Sequence, residues 1–152
     1  MSLPSEVNVE QLFSGLRERK AKLQKLCNYL RNEVEHYDWV GFYIVGPDKK
    51  VLKLGPFAGQ PTEHKVIPFG KGVCGQSAEK EEMIVVPDVK KLDNYLSCSI
   101  NVKSEIVVPV YKNGEYVAQL DIDSHQQAPF TEKDQTFLKN ICSQIGDLFP
   151  VT

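Results

Sequence analysis

Residues 69–78 read FGKGVCGQSA, with Gly70, Gly72 and Gly75 at the G-x-G-x-x-G spacing by which dinucleotide-binding proteins lay backbone amides against a pyrophosphate. How this stretch is read decides the fold class. A cradle of that kind needs a strand before it, a crossover helix after it and a parallel strand beyond, and such a crossover takes about ten to twelve residues or more. Only Gln76 to Glu82 separate Gly75 from the next apolar run, which begins at Met83. That is too short, so the glycines are read as permitting tight backbone turns, and the sheet is not a doubly wound one.

Outward from this loop the apolar runs are short and bounded by turn residues. DWVGFYIV (38–45) and VLKLGPF (51–57), joined by GPDKK, read as a β-hairpin. KVIPF, MIVVPD, SEIVVPVY and EYVAQLDID follow, the last two separated by the turn KNG. About six strands result. Before them, Leu12, Phe13, Leu16, Leu23, Leu26, Cys27, Leu30 and Val34 fall at helical spacing and predict a helix over about 8–35. After them, Thr131 and Asp134 form a capping signal for a helix over about 131–148, with Phe137, Leu138, Ile141, Cys142, Ile145 and Leu148 as its apolar stripe. Helix, antiparallel meander and helix make an α+β domain over 1–152, sheet and loops over about 38–124. Both terminal helices cover one sheet face and leave the loops on the other to build a pocket.

The bulk numbers narrow the function. The 152 residues allow one core, and 18 basic against 20 acidic residues, with no basic tail, give nucleic acid nothing to bind. The N-terminal stretch has no signal-peptide pattern and no apolar run is long enough to span a bilayer, so a cytoplasmic protein without membrane attachment is expected. Cys27, Cys74, Cys98 and Cys142 form no C-x-x-C pair, so neither zinc nor any other metal is expected.

Cys27 and Cys142 sit in the helical stripes and read as core thiols. Cys74, between glycines at the start of a short helix where the dipole favours a thiolate, and Cys98, in the polar loop NYLSCSINVKSE, are a candidate redox pair or two incidental thiols. Asp121 and Asp123 in QLDIDSH share one strand face, opposite Leu120 and Ile122; that face is either solvated or an acidic site, and the hairpin brings Glu105 beside it. Three clustered carboxylates repel one another, which raises at least one pKa and makes a proton donor or an ammonium site. Trp39 and Tyr43, four apart around Gly41, are core aromatics or an apolar box. His36, His64 and His125 have no partner at metal-ligand spacing and read as surface or loop residues.

Taken together, DWVGFY, LGPFAGQ, IPFGKGVCG, SEIVVPV and LDIDS, in this order, resemble the free methionine-(R)-sulfoxide reductases, a family of single GAF domains; the resemblance runs from about Asp38 to Ile145. It implies a GAF fold and an oxidoreductase that reduces free methionine (R)-sulfoxide without a cofactor. It implies further that Cys98 is the nucleophile, that Cys74 forms a disulfide with it, and that a thioredoxin-like dithiol restores both. Trp39 and Tyr43 then surround the methyl-sulfinyl end, Glu105, Asp121 and Asp123 are the family's three carboxylates, and amides around Leu96 and Ser97 hold the substrate carboxylate. The sequence departs from the family at His64, where many members carry a third cysteine, so resolution passes to Cys74 or an external thiol. The alternative is a GAF module that senses a small molecule without chemistry. The long first helix offers a surface for a homodimer.

Overall fold

The computed structural model describes residues 3–4, 6–92 and 101–150. Six strands, β1 (Trp39–Val45), β2 (Val51–Ala58), β3 (Val66–Pro68), β4 (Ile84–Val86), β5 (Ser104–Lys112) and β6 (Glu115–Ser124), form one antiparallel sheet in the order β3-β2-β1-β6-β5-β4. Every run read as a strand is one, and the architecture is the expected α+β one. At the β5–β6 turn Asn113 and Gly114 both take left-handed φ values of 52° and 80°, which is what a two-residue turn needs to match the twist of the flanking strands.

Alternation along the strands gives the sheet two unlike faces. Val40, Phe42, Ile106, Val108, Leu120 and Ile122 lie in one apolar core with Leu23, Leu26, Cys27, Leu30, Leu138 and Ile141. Those helical residues belong to α2 (Arg19–Glu33) and α4 (Glu132–Ser143), so both long helices do cover one face. Cys27 and Cys142 are buried in this core, and burial pushes both thiols well above their ordinary pKa. They are packing residues. Trp39, Tyr43, Val107 and Cys74 sit in a second cluster on the opposite face.

The first helix departs from expectation. Instead of one helix over 8–35 there is a single turn, α1 (Val9–Leu12), capped by Asn8 accepting from the Gln11 N–H, then a break, then α2. Gly15, at φ 84°, lies in the break. Helical spacing persists across the break because Val9 and Phe13 still bury against the same core as Leu23 and Leu26. The C-terminal helix is likewise shorter than 131–148: α4 ends at Ser143 and a separate 3-10 turn spans Gly146–Leu148.

The capping residue at the start of α4 does more than cap. Asp134 completes a reciprocal box with Thr131 and also accepts from Tyr37 Oη at 2.7 Å, with His36 Nε2 2.8 Å away. His36, in the loop between α2 and β1 as expected, is therefore also tied to a buried carboxylate. Burial pushes the Asp134 carboxyl up, but His36, the Thr131 N–H and Tyr37 outweigh it, and the net shift is downward. A depressed folded-state pKa adds stability that is complete above the unfolded carboxylate value of about 4 and is lost as pH falls through the folded value. Asp134→Asn is thus expected to lower unfolding stability by about 2–3 kcal/mol at pH 7, the difference from wild type shrinking toward pH 3 in urea melts at the two pH values.

No helix among the described residues is long and apolar enough to cross a membrane. One helix remains, α3 (Gly72–Lys80), and it positions the site. β3 and β4 follow one another in the chain yet lie at opposite sheet edges, so the segment joining them must pass over the sheet. α3 does so on the face that α2 and α4 leave open, packing on β2, β3, β5 and β6.

Candidate active site

The glycine loop turns the chain from edge strand β3 into α3. Gly70 and Gly72 are left-handed, at φ 86° and 64°, and the Gly70 N–H bonds to the Gly75 carbonyl at 2.8 Å. A Cβ on Gly75 would stand 3.1 Å from the Gly70 nitrogen and 2.5 Å from the Pro68 carbonyl oxygen. The glycines therefore serve close backbone approach, and what they bring down onto the sheet is Cys74, in the first turn of α3.

Beneath Cys74 the strand register assembles the acids. Asp123 of β6 lies opposite Glu105 of β5 on one side and Trp39 of β1 on the other; Asp121 lies opposite Val107 and Gly41. Glu105, Asp121 and Asp123 thus meet on one face, and at 3%, 4% and 4% exposure they are buried, which overturns the solvated-face alternative. The Cys74 thiol donates to Glu105 Oε2 at 3.7 Å.

Burial, more than mutual repulsion, governs Asp121. It raises the Asp121 pKa against the hydrogen bonds with Glu105 and Cys74, which lower it. Asp121 is therefore a carboxyl inclined to hold its proton, and its Oδ1 has no hydrogen-bond partner among the described residues. The same physics reverses the expectation for Cys74: burial, then the charges of Asp121, Glu105 and Asp123, push its pKa well above the ordinary value and outweigh the pull of the helix start. In this state Cys74 is a thiol.

Trp39 and Tyr43 share one strand face, as the four-residue spacing predicts, and there they wall the pocket. Their rings stack with centroids 6.4 Å apart, and Phe57 of β2 also stacks on the indole at 5.5 Å. The Trp39 indole N–H donates to the Gln60 carbonyl and the Tyr43 hydroxyl to the His64 carbonyl, fixing both rings to the segment after β2. Gly41 gives the indole its room: a Cβ there would stand 2.6 Å from the ring's Cζ3 and 2.9 Å from Phe57 Cβ. Gly41→Ala is accordingly expected to displace the Trp39 ring and cost about 1–3 kcal/mol of stability, read as a lower urea midpoint and a shifted indole fluorescence.

The pocket enclosed by Trp39, Tyr43, Cys74 and the three carboxylates is closed further by Thr62, His64, Ile67 and Val73. His64, half-buried in the loop between β2 and β3 as expected, thus also lines the pocket; its place in the family pattern was the sequence signal for this. No Lys or Arg lines the pocket among the described residues. An aromatic wall facing buried acid suits a ligand with an apolar body and a cationic or proton-accepting group. The open space is only about 10 Å³, the room for one water, so a ligand of amino-acid size enters as lining side chains move apart. Behind Cys74, Gln119 donates to the Cys74 carbonyl at 3.0 Å and to Tyr116 Oη at 2.8 Å, and Tyr116 pairs with Ser77. This network holds the first turn of α3 on β6, and no motif or spacing in the chain announces it. Cys98, Leu96 and Ser97 lie outside the described residues.

Residues 18–149 match the GAF domain family. The chain is 37% identical over 133 residues, 88% of its length and 82% of the relative's, to GAF domain-containing protein A of Dictyostelium discoideum. It is 39% identical over 111 residues, 72% of its length and 61% of the relative's, to the free methionine-R-sulfoxide reductase of Saccharomyces cerevisiae. Among solved structures, the type II free methionine-R-sulfoxide reductase of Thermoplasma acidophilum superposes with a TM-score of 0.82 at 37% identity, over 86% of this chain and 91% of that one.

Proposed function

The chain belongs to the GAF domain family, and from that premise we propose that it reduces free methionine (R)-sulfoxide to methionine with Cys98 as nucleophile. The observation that carries the reading is the convergence of a buried thiol, a carboxyl held toward its protonated form and two aromatic walls in one pocket, in a chain similar to reductases of that name.

The methyl-sulfinyl end lies against Trp39 and Tyr43, the substrate ammonium meets the ionised acids, and backbone amides at Leu96 and Ser97 hold its carboxylate. The Cys98 thiolate attacks the sulfoxide sulfur while Asp121 gives its proton to the sulfinyl oxygen. Collapse transfers that oxygen to Cys98: methionine leaves as the thioether, reduced by two electrons, and Cys98 becomes a sulfenic acid, oxidised by two. Cys74 then attacks the Cys98 sulfur, water departs and a disulfide forms. Because Cys74 is held as a thiol, its attack needs a base, and Glu105, which already accepts from it, takes that proton. A thioredoxin-like dithiol restores both cysteines by two exchanges. A pocket that grips the ammonium, the carboxylate and the methyl group together presents one sulfoxide epimer's oxygen to Asp121.

The test is methionine release from the free R and S sulfoxides with a thioredoxin system. Turnover of R alone supports the proposal. Tight binding of a small molecule with no turnover of either epimer would replace it by the sensor reading.

A further inference from the structure

We propose that the reduced pocket also binds a zinc ion, through Cys74 Sγ and one carboxylate oxygen each of Glu105 and Asp121. These three atoms come from two strands and a helix, yet lie within 4.8 Å of one another, and all three residues are buried. The Cys74 Sγ to Glu105 Oε2 distance is 3.7 Å. Tetrahedral zinc with bonds of about 2.3 Å to sulfur and 2.0–2.2 Å to oxygen requires a sulfur-to-oxygen edge of about 3.5–3.7 Å, so the pair is already spaced as two ligands. Asp121 supplies the independent sign of a missing partner. It lines the pocket at 4% exposure, and its Oδ1 has no hydrogen-bond partner among the described residues.

The composition of the set selects the ion. One thiolate with two carboxylates suits a borderline-soft dication, whereas magnesium and calcium take oxygen throughout. No Lys or Arg lines the pocket among the described residues to oppose a dication. Three protein ligands leave the fourth position to water, and Asp123, opposite Glu105 across the β5–β6 ladder, lines the same pocket as a neighbouring carboxyl group. On binding, Cys74 and Asp121 release their protons to solvent as the zinc–sulfur and zinc–oxygen bonds form. This places metal in a chain whose cysteine spacing predicts none, because the ligands converge through strand register and not through a local motif.

The consequence for activity rests on the reductase reading; the binding does not. Zinc occupies the acids that would meet substrate and ties up the thiol that would close the disulfide, so it acts as a reversible block, competitive with the sulfoxide and lifted by a chelator.

The test is titration of the reduced full chain under argon with Co²⁺ as a spectroscopic stand-in, followed by displacement with Zn²⁺. A thiolate-to-cobalt charge-transfer band saturating at one equivalent is expected in wild type and in Cys98→Ser. It is expected to be absent from Cys74→Ser, and Asp121→Asn should weaken binding at least tenfold, with circular dichroism checking the fold of each. No band in wild type, or a band that survives in Cys74→Ser, overturns the proposal. A protein that reduces the sulfoxide but gives no band refutes the metal site alone, and a band from a protein that shows no turnover when freed of metal by a chelator supports the site while refuting the reductase.

Discussion

Cys98→Ser is expected to bring sulfoxide reduction to background, a loss of at least about 10⁴-fold in kcat. The hydroxyl cannot take the sulfinyl oxygen and pass on to a disulfide, so no sulfenic acid forms and nothing reaches Cys74. Binding of the sulfoxide, measured calorimetrically, should remain within a few-fold of wild type, because the acids and the aromatic wall are untouched. Cys74→Ser is expected to behave differently. It should lose turnover with a thioredoxin system while keeping one methionine released per chain, and a small dithiol that reduces the sulfenic acid directly should restore multiple turnovers. Were the two variants to exchange behaviours, Cys74 would be the attacking thiol, against the high pKa that its burial imposes.

The second large effect is expected at Asp121. Asp121→Asn keeps the shape of the side chain and removes its transferable proton, so kcat should fall about 10²- to 10⁴-fold with a much smaller change in KM. The pH dependence carries the same signature. Burial raises the Asp121 pKa, and the active form is the protonated one, so kcat should fall on the alkaline side as pH rises through that raised value. The amide of the Asp121→Asn variant does not titrate, and that limb should vanish from its profile. A profile that keeps the limb in the variant would assign the proton to Glu105 or Asp123.

Much of this was legible because β-strands write their faces into the sequence with a period of two. Trp39 and Tyr43, Asp121 and Asp123, and the apolar Leu120 and Ile122 between and beside the acids could be sorted by alternation alone, and the hairpin turn at Lys112 to Gly114 brought Glu105 alongside Asp123. Thr131 and Asp134 marked the start of α4 for the equally local reason that a capping box is closed within four residues. What alternation cannot show is depth. An acidic strand face looks the same whether water or α3 covers it, and only the passage of α3 between the two sheet edges makes the acids buried and Cys74 a thiol. Repulsion among acids was the visible reason for a raised pKa; desolvation, the larger cause at Asp121, depends on that cover. His64, which lines the pocket, and Phe57, which stacks on Trp39, escaped for a related reason, since each comes from a segment whose own pattern says nothing of where it packs. The break near Gly15 was hidden because both pieces of helix bury residues against one core and so preserve the spacing.

The most direct measurement is a single turnover: the reduced chain is mixed with excess free methionine (R)-sulfoxide without any reductant, and methionine, free thiols and cross-linked peptides are counted. The account predicts one methionine per chain, two thiols lost, and a single new disulfide joining the peptides of Cys74 and Cys98. Methionine without a disulfide between those two cysteines would contradict the resolving role of Cys74, and no methionine at all would contradict the reductase itself.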